Sequence, residues 1–286
     1  MYIKAGPDDK LNEILNTKSN DRLVVELPSG CVFRQKVFID RDNVMVIGNG
    51  AKIVWNDHNG MRPGFGTGAS ATLTVRANHT EFSDLIVEND FDYLGNKAKS
   101  DEDPNRMMGR QAVAVFTRPE YTDATFIGCT FISWQDTLFT DCAQSRFEKC
   151  RILGNIDFIF GRSHSVFEDC TIISTGAGFV SAPSTTEGKV GLVFRNCNIT
   201  CTDDVEDKSV FLARPWHPSE REDTNSYVSF ENCTLDRHIN PSLWTTMWDK
   251  KGHNHLPEEN RFRIDDSTIR TLFERLSNDE KIDVVR

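Results

Sequence analysis

Apolar and polar residues alternate in a short frame that recurs along the chain: a phenylalanine, a cysteine three residues later, and an apolar residue two positions further on. Alternation with a period of two is typical of a β-strand, whose successive side chains point to opposite faces. Successive cysteines of the frame are 21, 20, 27 and 36 residues apart, with no helical pattern between them. The frames are Phe126/Cys129/Phe131, Phe147/Cys150/Ile152, Phe167/Cys170/Ile172, Phe194/Cys197/Ile199 and Phe230/Cys233/Leu235.

The recurrence predicts the fold. A strand that returns at nearly constant spacing predicts coils stacked on one another, each burying its apolar edge against the next. A related frame begins at Phe82 with Leu85 in the cysteine position, and its gap of 44 residues to Cys129 indicates two steps of 22. We therefore predict an all-β, single-stranded parallel β-helix, a solenoid in which the longer steps are loops extruded from one side.

The cysteines of the frame are predicted to form a ladder of small buried groups, a common environment for free cysteine. A disulfide or a metal site is the alternative. Cys197 and Cys201 are four residues apart, but no second cysteine or histidine pair stands near them, and no Cys-x-x-Cys motif is present. The sequence thus predicts no metal ligands, and it favours packing for the ladder.

The two ends of the chain predict short helical caps on the solenoid. Residues 9–16 place apolar side chains at helical spacing, and residues 267–277 do so with Ile269, Leu272, Phe273 and Leu276. Such caps cover coil edges that would otherwise remain unpaired. With no boundary between them, residues 1–286 are predicted to form one domain. The polar stretch Asp92–Gly109 is predicted to be a long mobile loop.

Composition excludes several partners. The 286 residues carry 33 Lys and Arg against 43 Asp and Glu, a formal net charge of −10, so the chain lacks the basic footprint of nucleic-acid binding. No run of about 20 apolar residues predicts a membrane span. Without a visible leader, and with free thiols, we expect a cytoplasmic location; a protein whose leader had been removed would be secreted. Nothing in the pattern sets the oligomeric state.

Two aspartates share one phase of the repeat. Asp136 lies seven residues after Cys129, and Asp157 lies seven after Cys150, so we expect them on adjacent coils about 5 Å apart. Two carboxylates that close cannot both ionise freely, so one pKa should rise and the other fall. The large apolar residues around Asp157 favour a catalytic pair, one protonated acid beside one ionised group. A solvent-facing pair without function is the alternative.

Four segments, in this order, resemble the pectin methylesterase family (pectinesterases, carbohydrate esterase family 8). Weaker similarity runs from about Tyr2 to Trp248. The family's right-handed parallel β-helix agrees with the fold that the repeat predicts independently. The segments are Gly109-Arg-Gln-Ala-Val-Ala-Val115, Gln135-Asp-Thr-Leu138, Asp157-Phe-Ile-Phe-Gly161 and Leu212-Ala-Arg-Pro-Trp216.

The resemblance implies a role for each polar residue of these segments. Asp157 would attack the ester carbonyl as nucleophile and form an acyl-enzyme. Gln111 and Gln135 would donate hydrogen bonds to the oxyanion. Asp136 would protonate the departing methanol and then activate water. Arg214 would hold Asp157 oriented. The roles need no cofactor, and the implied substrates are methyl-esterified homogalacturonan or oligogalacturonides.

Aromatic residues near these segments are candidates for sugar binding. Trp216 would offer a flat face to a sugar ring in the resembling family, although packing after Pro215 is its alternative. Phe139, Phe158 and Trp244 are predicted to line the cleft, with burial in the core as the alternative for each.

The sequence departs from the family pattern at several positions, and two other functions stay open. Ala213 and Leu243 occupy positions where the family usually has glycine, the early Gly-x-Tyr-x-Glu motif is degraded at 30–35, and the usual C-terminal motif is not recognisable between 260 and 270. The alternatives are a β-helical polygalacturonase or pectate lyase, and a non-catalytic carbohydrate-binding solenoid. Neither of the enzymes accounts for two glutamine donors beside an aspartate pair.

Overall fold

The structure is a computed structural model that describes residues 1–61 and 64–274. Its helices are α1 (Leu11–Leu15), α2 (Tyr93–Lys97) and α3 (Asp266–Phe273). In chain order its strands are β1 (Tyr2–Lys4), β2 (Leu23–Glu26), β3 (Val32–Phe33), β4 (Val37–Ile39), β5 (Val44–Ile47), β6 (Lys52–Trp55), β7 (Leu73–Val75), β8 (Thr80–Ser83), β9 (Ile86–Asn89), β10 (Val115–Thr117), β11 (Asp123–Ile127), β12 (Thr130–Ile132), β13 (Leu138–Thr140), β14 (Gln144–Glu148), β15 (Arg151–Gly161), β16 (His164–Glu168), β17 (Thr171–Pro183), β18 (Leu192–Arg195), β19 (Asn198–Cys201), β20 (Phe211–Ala213), β21 (Tyr227–Glu231), β22 (Thr234–Leu235), β23 (Met247–Trp248), β24 (Asn254–His255) and β25 (Arg261–Ile264).

The strands stack in parallel on three faces of a coil. The first face is a ten-stranded sheet in the order β1-β2-β5-β8-β11-β14-β16-β18-β21-β25. The second face begins at β3, β6, β9 and β12, and the third contains β4, β7, β10 and β13; the long strands β15 and β17 run through both. The predicted parallel β-helix is confirmed. One pair of strands departs from it, because β23 and β24 form an antiparallel hairpin.

A ladder of phenylalanine rings fills the coil behind the first face. Strand pairing brings Phe126 level with Phe147, and Phe147 level with Phe167, in successive coils. The rings stack nearly parallel with centroids 4.6–4.9 Å apart, which matches the spacing between neighbouring strands. The six fully buried rings of this phenylalanine ladder are Phe82, Phe126, Phe147, Phe167, Phe194 and Phe230.

The five cysteines of the frame form the predicted ladder beside these rings. All eight cysteines of the chain are free thiols, which rules out the disulfide alternative. Each ladder thiol is buried and lies near the phenylalanine carbonyl of the preceding coil; Cys150 Sγ, for example, is 3.4 Å from the Phe126 oxygen. The residue before each cysteine has a left-handed φ between 52° and 62°, which turns the chain from the first face to the second: Gly128, Lys149, Asp169, Asn196 and Asn232.

One coil is longer than the sequence predicts. Phe82 pairs directly with Phe126, so Leu85 and Cys129 lie in adjacent coils, and the prediction of two steps of 22 residues is wrong. The strand pattern constrains only the residues that pair. A loop of any length can leave the coil between two strands, because the entropy of closing a loop grows slowly with its length.

That extra length holds the stretch Asp92–Gly109, which is not a structureless loop. Helix α2 begins there, with the Asp92 side chain accepting from the Gly95 N–H at 2.8 Å. Asn96 then ties the far side of the stretch: its Nδ2 donates to the Met107 carbonyl and its Oδ1 accepts from the Met107 N–H. The sequence missed this helix because five residues are too few to show a helical period.

Both predicted caps are helical. Helix α1 buries Leu11 and Leu15 against the first coils, and Gln35, in the degraded family motif, accepts a hydrogen bond from the Leu11 N–H at 2.9 Å. Helix α3 is capped by Asp265 and buries Leu272, while Leu276 lies outside the described residues. No helix in the described ranges is both long and apolar enough to cross a membrane.

Candidate active site

A cleft of about 480 Å³ opens on the third face, and seven of the nine predicted site residues line it. Strands β10, β13, β15 and β17 lie side by side there, so residues far apart in sequence meet. The seven residues are Gln111, Gln135, Asp136, Phe139, Asp157, Arg214 and Trp216.

The two aspartates occupy neighbouring coils at the same level, as the spacing predicts. The Asp136 N–H donates to the Ile156 carbonyl at 3.1 Å, directly before Asp157. Both aspartates have left-handed backbones, with φ of 68° at Asp136 and 49° at Asp157, and the pairing of β15 with β17 shifts register on either side of Ile156. Asp tolerates this conformation better than most residues, and bulges of this kind re-aim side chains near functional sites.

Arg214 forms a bidentate ion pair with Asp157 through its guanidinium group. Its Nε is 2.8 Å from Oδ1 of the carboxylate, and its second terminal nitrogen is 2.6 Å from Oδ2. The Phe179 ring lies under the same guanidinium, with Cζ 3.8 Å from the ring centroid. A bidentate fork fixes the orientation of a carboxylate as well as balancing its charge.

The surroundings of Asp136 disfavour its ionised form. Burial, together with the negative charge of Asp157, raises the pKa of Asp136 well above its usual range, while Arg214 and a hydrogen bond from Gln135 oppose the rise. A carboxyl in this state keeps its proton at pH values where an ordinary aspartate has lost it. The cleft therefore holds a carboxyl group poised to donate a proton beside one fixed by an arginine.

The two glutamines present their amides to the cleft from backbones that are held in place. The Gln111 carbonyl accepts from the Asn59 N–H at 2.9 Å, and the Gln135 carbonyl accepts from the Ala112 N–H at 3.1 Å. Both side chains are half-buried and line the cleft. Each amide offers two N–H donors.

A stack of aromatic rings forms one wall of the cleft. Phe139 lies between Phe116 and Phe160, with centroids 4.4 Å apart on each side. Trp216 meets Phe139 and Phe160 edge-on, at 6.0 and 5.5 Å. Phe160 also lines the cleft, although regular period-two alternation would place it on the same face as the buried Phe158.

Comparison with known proteins identifies the family. The sequence model of the family Pectinesterase matches residues 9–256. The chain belongs to the pectinesterase family. Pectinesterase A of Dickeya chrysanthemi is 33% identical over 261 residues, which cover 81% of this chain and 71% of the relative. A probable pectinesterase/pectinesterase inhibitor of Arabidopsis thaliana is 29% identical over 80% of this chain and 38% of its own length.

Solved structures agree over nearly the whole chain. Pectin methylesterase PemA from Erwinia chrysanthemi superposes with a TM-score of 0.82 at 26% identity, covering 98% of this chain and 96% of that one. The enzyme from Yersinia enterocolitica gives a TM-score of 0.83 at 27% identity over 93% and 99%. The predicted carboxylic ester hydrolase family and its β-helix are thereby confirmed.

These relatives give no support to the expected cytoplasmic location, and they are consistent with the secreted alternative. The free thiols were a weak guide to the compartment for a physical reason. Six of the eight cysteines are buried in the coil, where an oxidant cannot reach them.

Two predicted cleft residues lie elsewhere in this pectinesterase fold. Phe158 is fully buried in the core, because it follows Asp157 on the strand and so points to the opposite face. It packs so closely that a Cβ on Gly154 would come within 2.3 Å of its own Cβ. Trp244 packs edge-on against Phe262 at 5.3 Å and lies 5.9 Å from Phe230. It thus covers the end of the phenylalanine ladder and does not line the cleft, and its contact with sugar stays a prediction.

Sequence reasoning missed one whole wall of the cleft. The hairpin of β23 and β24 contributes Met247, Trp248, Asp249, Lys250 and His255, and His217 joins them from the segment after Trp216. Asp249 ties the hairpin loop by accepting from the backbone N–H groups of Lys251 and His253 at 2.8 and 2.9 Å. Strands of two residues carry no readable alternation, so only the tryptophan itself was a signal.

Two of the departures from the family pattern lie in the core. Ala213 is fully buried and Leu243 is nearly so, and neither lines the cleft. Leu243 has a φ of 59°, a left-handed conformation that glycine adopts freely and a branched side chain resists. Burial of its side chain offsets this strain. Among the described residues, no group of three or more His, Cys, Asp or Glu side chains is arranged to hold a metal ion.

Proposed function

We propose that this chain hydrolyses galacturonate methyl esters of pectin or oligogalacturonides to free carboxylates and methanol, and that residues 1–286 act as one domain. The observation that carries the proposal is the unequal aspartate pair: Asp157 held by Arg214 beside Asp136 with its raised pKa. A pectin methylesterase of the same fold, 26% identical, was solved in complex with a hexasaccharide. An oligogalacturonide is therefore the substrate class we assign to the cleft.

The first half of the reaction forms an acyl-enzyme. An Asp157 oxygen attacks the carbonyl carbon of the ester, and the amides of Gln111 and Gln135 donate hydrogen bonds to the oxygen that becomes negative. The bond from carbon to the methoxy oxygen then breaks as Asp136 gives its proton to that oxygen, and methanol leaves. Asp136 ends this half as a carboxylate, so the next step can use it as a base.

The second half restores the enzyme. Asp136 takes a proton from water, and the resulting hydroxide attacks the acyl carbon. The carbon–oxygen bond to Asp157 breaks, the galacturonate leaves as a free acid group, and Asp136 is protonated again. Arg214 keeps Asp157 in the same orientation for attack and for departure, which is the work of a bidentate fork.

The lining of the cleft fits an esterified sugar chain better than an ionised one. Trp216 and Phe139 present apolar surface suited to sugar rings. A fully ionised polymer would be repelled by the net charge of −10 within a screening length of about 10 Å, and an esterified one would not. Every chemical role falls to a side chain, so we predict that chelators leave the activity unchanged.

The test is methanol release from a methyl-esterified hexagalacturonate, with new reducing ends and unsaturated products measured alongside. We expect methanol and neither of the other products. Reducing ends without methanol would favour the hydrolase alternative, and unsaturated ends requiring Ca²⁺ would favour the lyase. A folded protein that releases none of them would favour the sugar-binding solenoid.

Two variants assign the nucleophile. Asp157→Asn should abolish methanol release while the protein stays folded by circular dichroism. Asp141→Asn is the matched control, because Asp141 is also a carboxyl group near an arginine, Arg162 at 3.6 Å, but lies outside the cleft. Substantial turnover by Asp157→Asn would contradict the acyl-enzyme on this residue.

A further inference from the structure

Two histidines from distant parts of the chain stack face to face on the wall of the cleft. His217 follows Trp216, and His255 ends strand β24 of the hairpin. Their ring centroids are 3.8 Å apart and their planes differ by 10°. The stack is a direct side-chain contact between the segment that carries Trp216 and the hairpin that carries Trp248.

Each ring is anchored outside the stack. His217 Nε2 lies 3.1 Å from Asn260 Oδ1, which also accepts from the Ser226 N–H at 2.8 Å, so Nε2 of His217 carries the proton. His255 Nε2 lies 3.3 Å from Asp249 Oδ2. Both imidazoles thus use one N–H for an anchor, and the stack between them is a contact of ring faces.

The groups around the stack determine how it responds to pH. Burial lowers the pKa of His217, and the neighbouring His255 adds to this, whereas Asn260, Asp249 and Glu259 oppose it. His253 meets His255 edge-on at 6.5 Å, and the side chains of Glu220 and Lys250 line the same cleft. The stack is therefore most stable when His217 is neutral.

Asp249, which holds the hairpin loop, does not titrate in the same range. Hydrogen bonds, first that from the His253 backbone, lower the pKa of Asp249 to about 2. Asp249 therefore stays ionised and continues to hold the loop at any pH where the enzyme would work. Of the links between the hairpin and the Trp216 segment described above, the imidazole stack is the one that acidification weakens.

We propose that the His217–His255 stack is a pH-dependent latch that positions Trp216 and the hairpin for the sugar chain. The inference rests on the proposed function, since it concerns how that substrate is held. A histidine kept neutral by its folded surroundings stabilises the closed latch above its ordinary pKa of about 6.5, and this stabilisation is lost as the pH falls below that value. Two imidazolium rings in face-to-face contact also repel each other.

The latch and the acid–base group respond to pH in opposite ways. Acidification keeps Asp136 protonated, which suits the departure of methanol, while it opens the latch and weakens substrate binding. We therefore expect KM to rise as the pH falls from 7.5 to 5, by about fivefold or more. This rise in KM belongs to the histidines and not to the aspartates.

The kinetic test replaces one ring of the stack. His217→Phe puts a flat, uncharged ring in place of the histidine whose protonation opens the latch, so its KM should no longer rise at acid pH; His255→Ala removes the other ring and should have a raised KM at every pH. His79→Phe, which alters an exposed histidine beside Asp123, should keep the wild-type profile. An acid rise in KM that persists in His217→Phe would overturn the latch.

A measurement without substrate separates this inference from the proposed function. NMR titration should show that the midpoint of His217 rises in His255→Phe, because a positive neighbour has been removed. If no methanol is ever released but this coupling is present, the stack stands and the esterase assignment fails. If the midpoint of His217 does not move, the latch fails even in an active esterase.

Discussion

On the first face of the coil Phe147 lies between Phe126 and Phe167, and in the cleft Asp136 lies beside Asp157. The same rule places both sets, because parallel pairing sets equal phases of neighbouring coils side by side. The consequences are opposite. Stacked rings bury apolar area and attract one another, whereas two carboxylates at one level repel and lose hydration. The repulsion is relieved because Arg214 pairs with Asp157 and because Asp136 retains its proton.

This contrast separates stability from function in the molecule. Residues of the phenylalanine ladder have ordinary strand backbones, while both cleft aspartates have left-handed ones, Asp157 in the irregular part of β15 and Asp136 shortly before β13. Strained conformations and buried like charges persist where the surrounding structure holds them firmly. The tightly packed phenylalanine ladder helps to hold the coils rigid. A substitution in this ladder should therefore alter the free energy of unfolding, and a substitution in the cleft should alter activity.

The largest expected effect is on Asp136→Asn, which keeps the shape of the side chain but cannot transfer the proton. Because Asp136 would serve both halves of the reaction, kcat should fall by about 10⁴-fold. Stability should move the other way. A raised pKa means that the folded state holds the proton more tightly, so wild type loses stability as the pH rises from about 3.9 through that raised value.

Denaturation at several pH values tests this second part. At pH 7 the amide variant should be more stable than wild type, because it has no carboxyl group to ionise in the buried site. Below pH 3.9, where both states of wild type are protonated, that advantage should vanish. Equal stability at every pH would show that the burial of Asp136 carries no electrostatic cost.

Phe147→Ala should have the largest effect on the ladder side of the comparison. The ring is fully buried and stacks at 4.9 and 4.6 Å on its two neighbours, so its removal leaves a cavity in the middle of the stack. We expect a loss of about 4 kcal/mol in the free energy of unfolding. The folded fraction should keep its kcat, because the ring does not reach the cleft.

Urea denaturation together with methanol release measures both quantities. Arg146→Ala is the matched control, since Arg146 precedes Phe147 on β14 and its side chain is 53% exposed. That variant should stay within about 0.5 kcal/mol of wild type. A fall in kcat for folded Phe147→Ala would mean that ladder and cleft are not separable.

The parts of the fold that repeat were predictable, and the parts that depart from the repeat were not. The spacing of the Phe126/Cys129 frame predicts where the strands of each following coil lie. The equal offset of seven residues from a frame cysteine predicts that Asp136 lies beside Asp157. The excursion that contains α2 could not be counted, because its residues pair with no strand of the coil. Phe158 was misplaced although the alternation that put Asp157 in the cleft also puts its neighbour in the core.

The hairpin shows a different limit. Its wall of the cleft depends on the stack of His217 on His255 and on backbone hydrogen bonds to Asp249, and these contacts join segments with no common period. The tryptophan candidates illustrate the result. Trp244 and Trp248 are four residues apart, yet one covers the ladder end and the other is 67% exposed beside the cleft.

Cys150→Ala tests the second ladder at a smaller scale. The thiol is buried between coils and bonds weakly to the Phe126 carbonyl, so its loss removes one small packed group. We expect a loss of about 1 kcal/mol and no change in kcat. Cys31→Ala, at a half-buried thiol outside the ladder, should cost less. Equal losses in the two variants would mean that a cysteine inside the cysteine ladder contributes no more to stability than a cysteine outside it.

Ala213→Gly should have the smallest effect, although it restores the residue that the family usually has beside the arginine. Ala213 is fully buried in β20, and its methyl group faces the core and not the cleft. Glycine within a strand should cost about 0.5–1 kcal/mol through backbone entropy, and kcat/KM should stay within about twofold. Ala182→Gly is the informative partner, because Ala182 is equally small and buried but lines the cleft, so its loss should raise KM. Thermal unfolding and methanol kinetics on both variants would decide the matter. If Ala213→Gly changed KM more than Ala182→Gly, then Ala213, next to Arg214, would influence substrate binding and could not be assigned to the core alone.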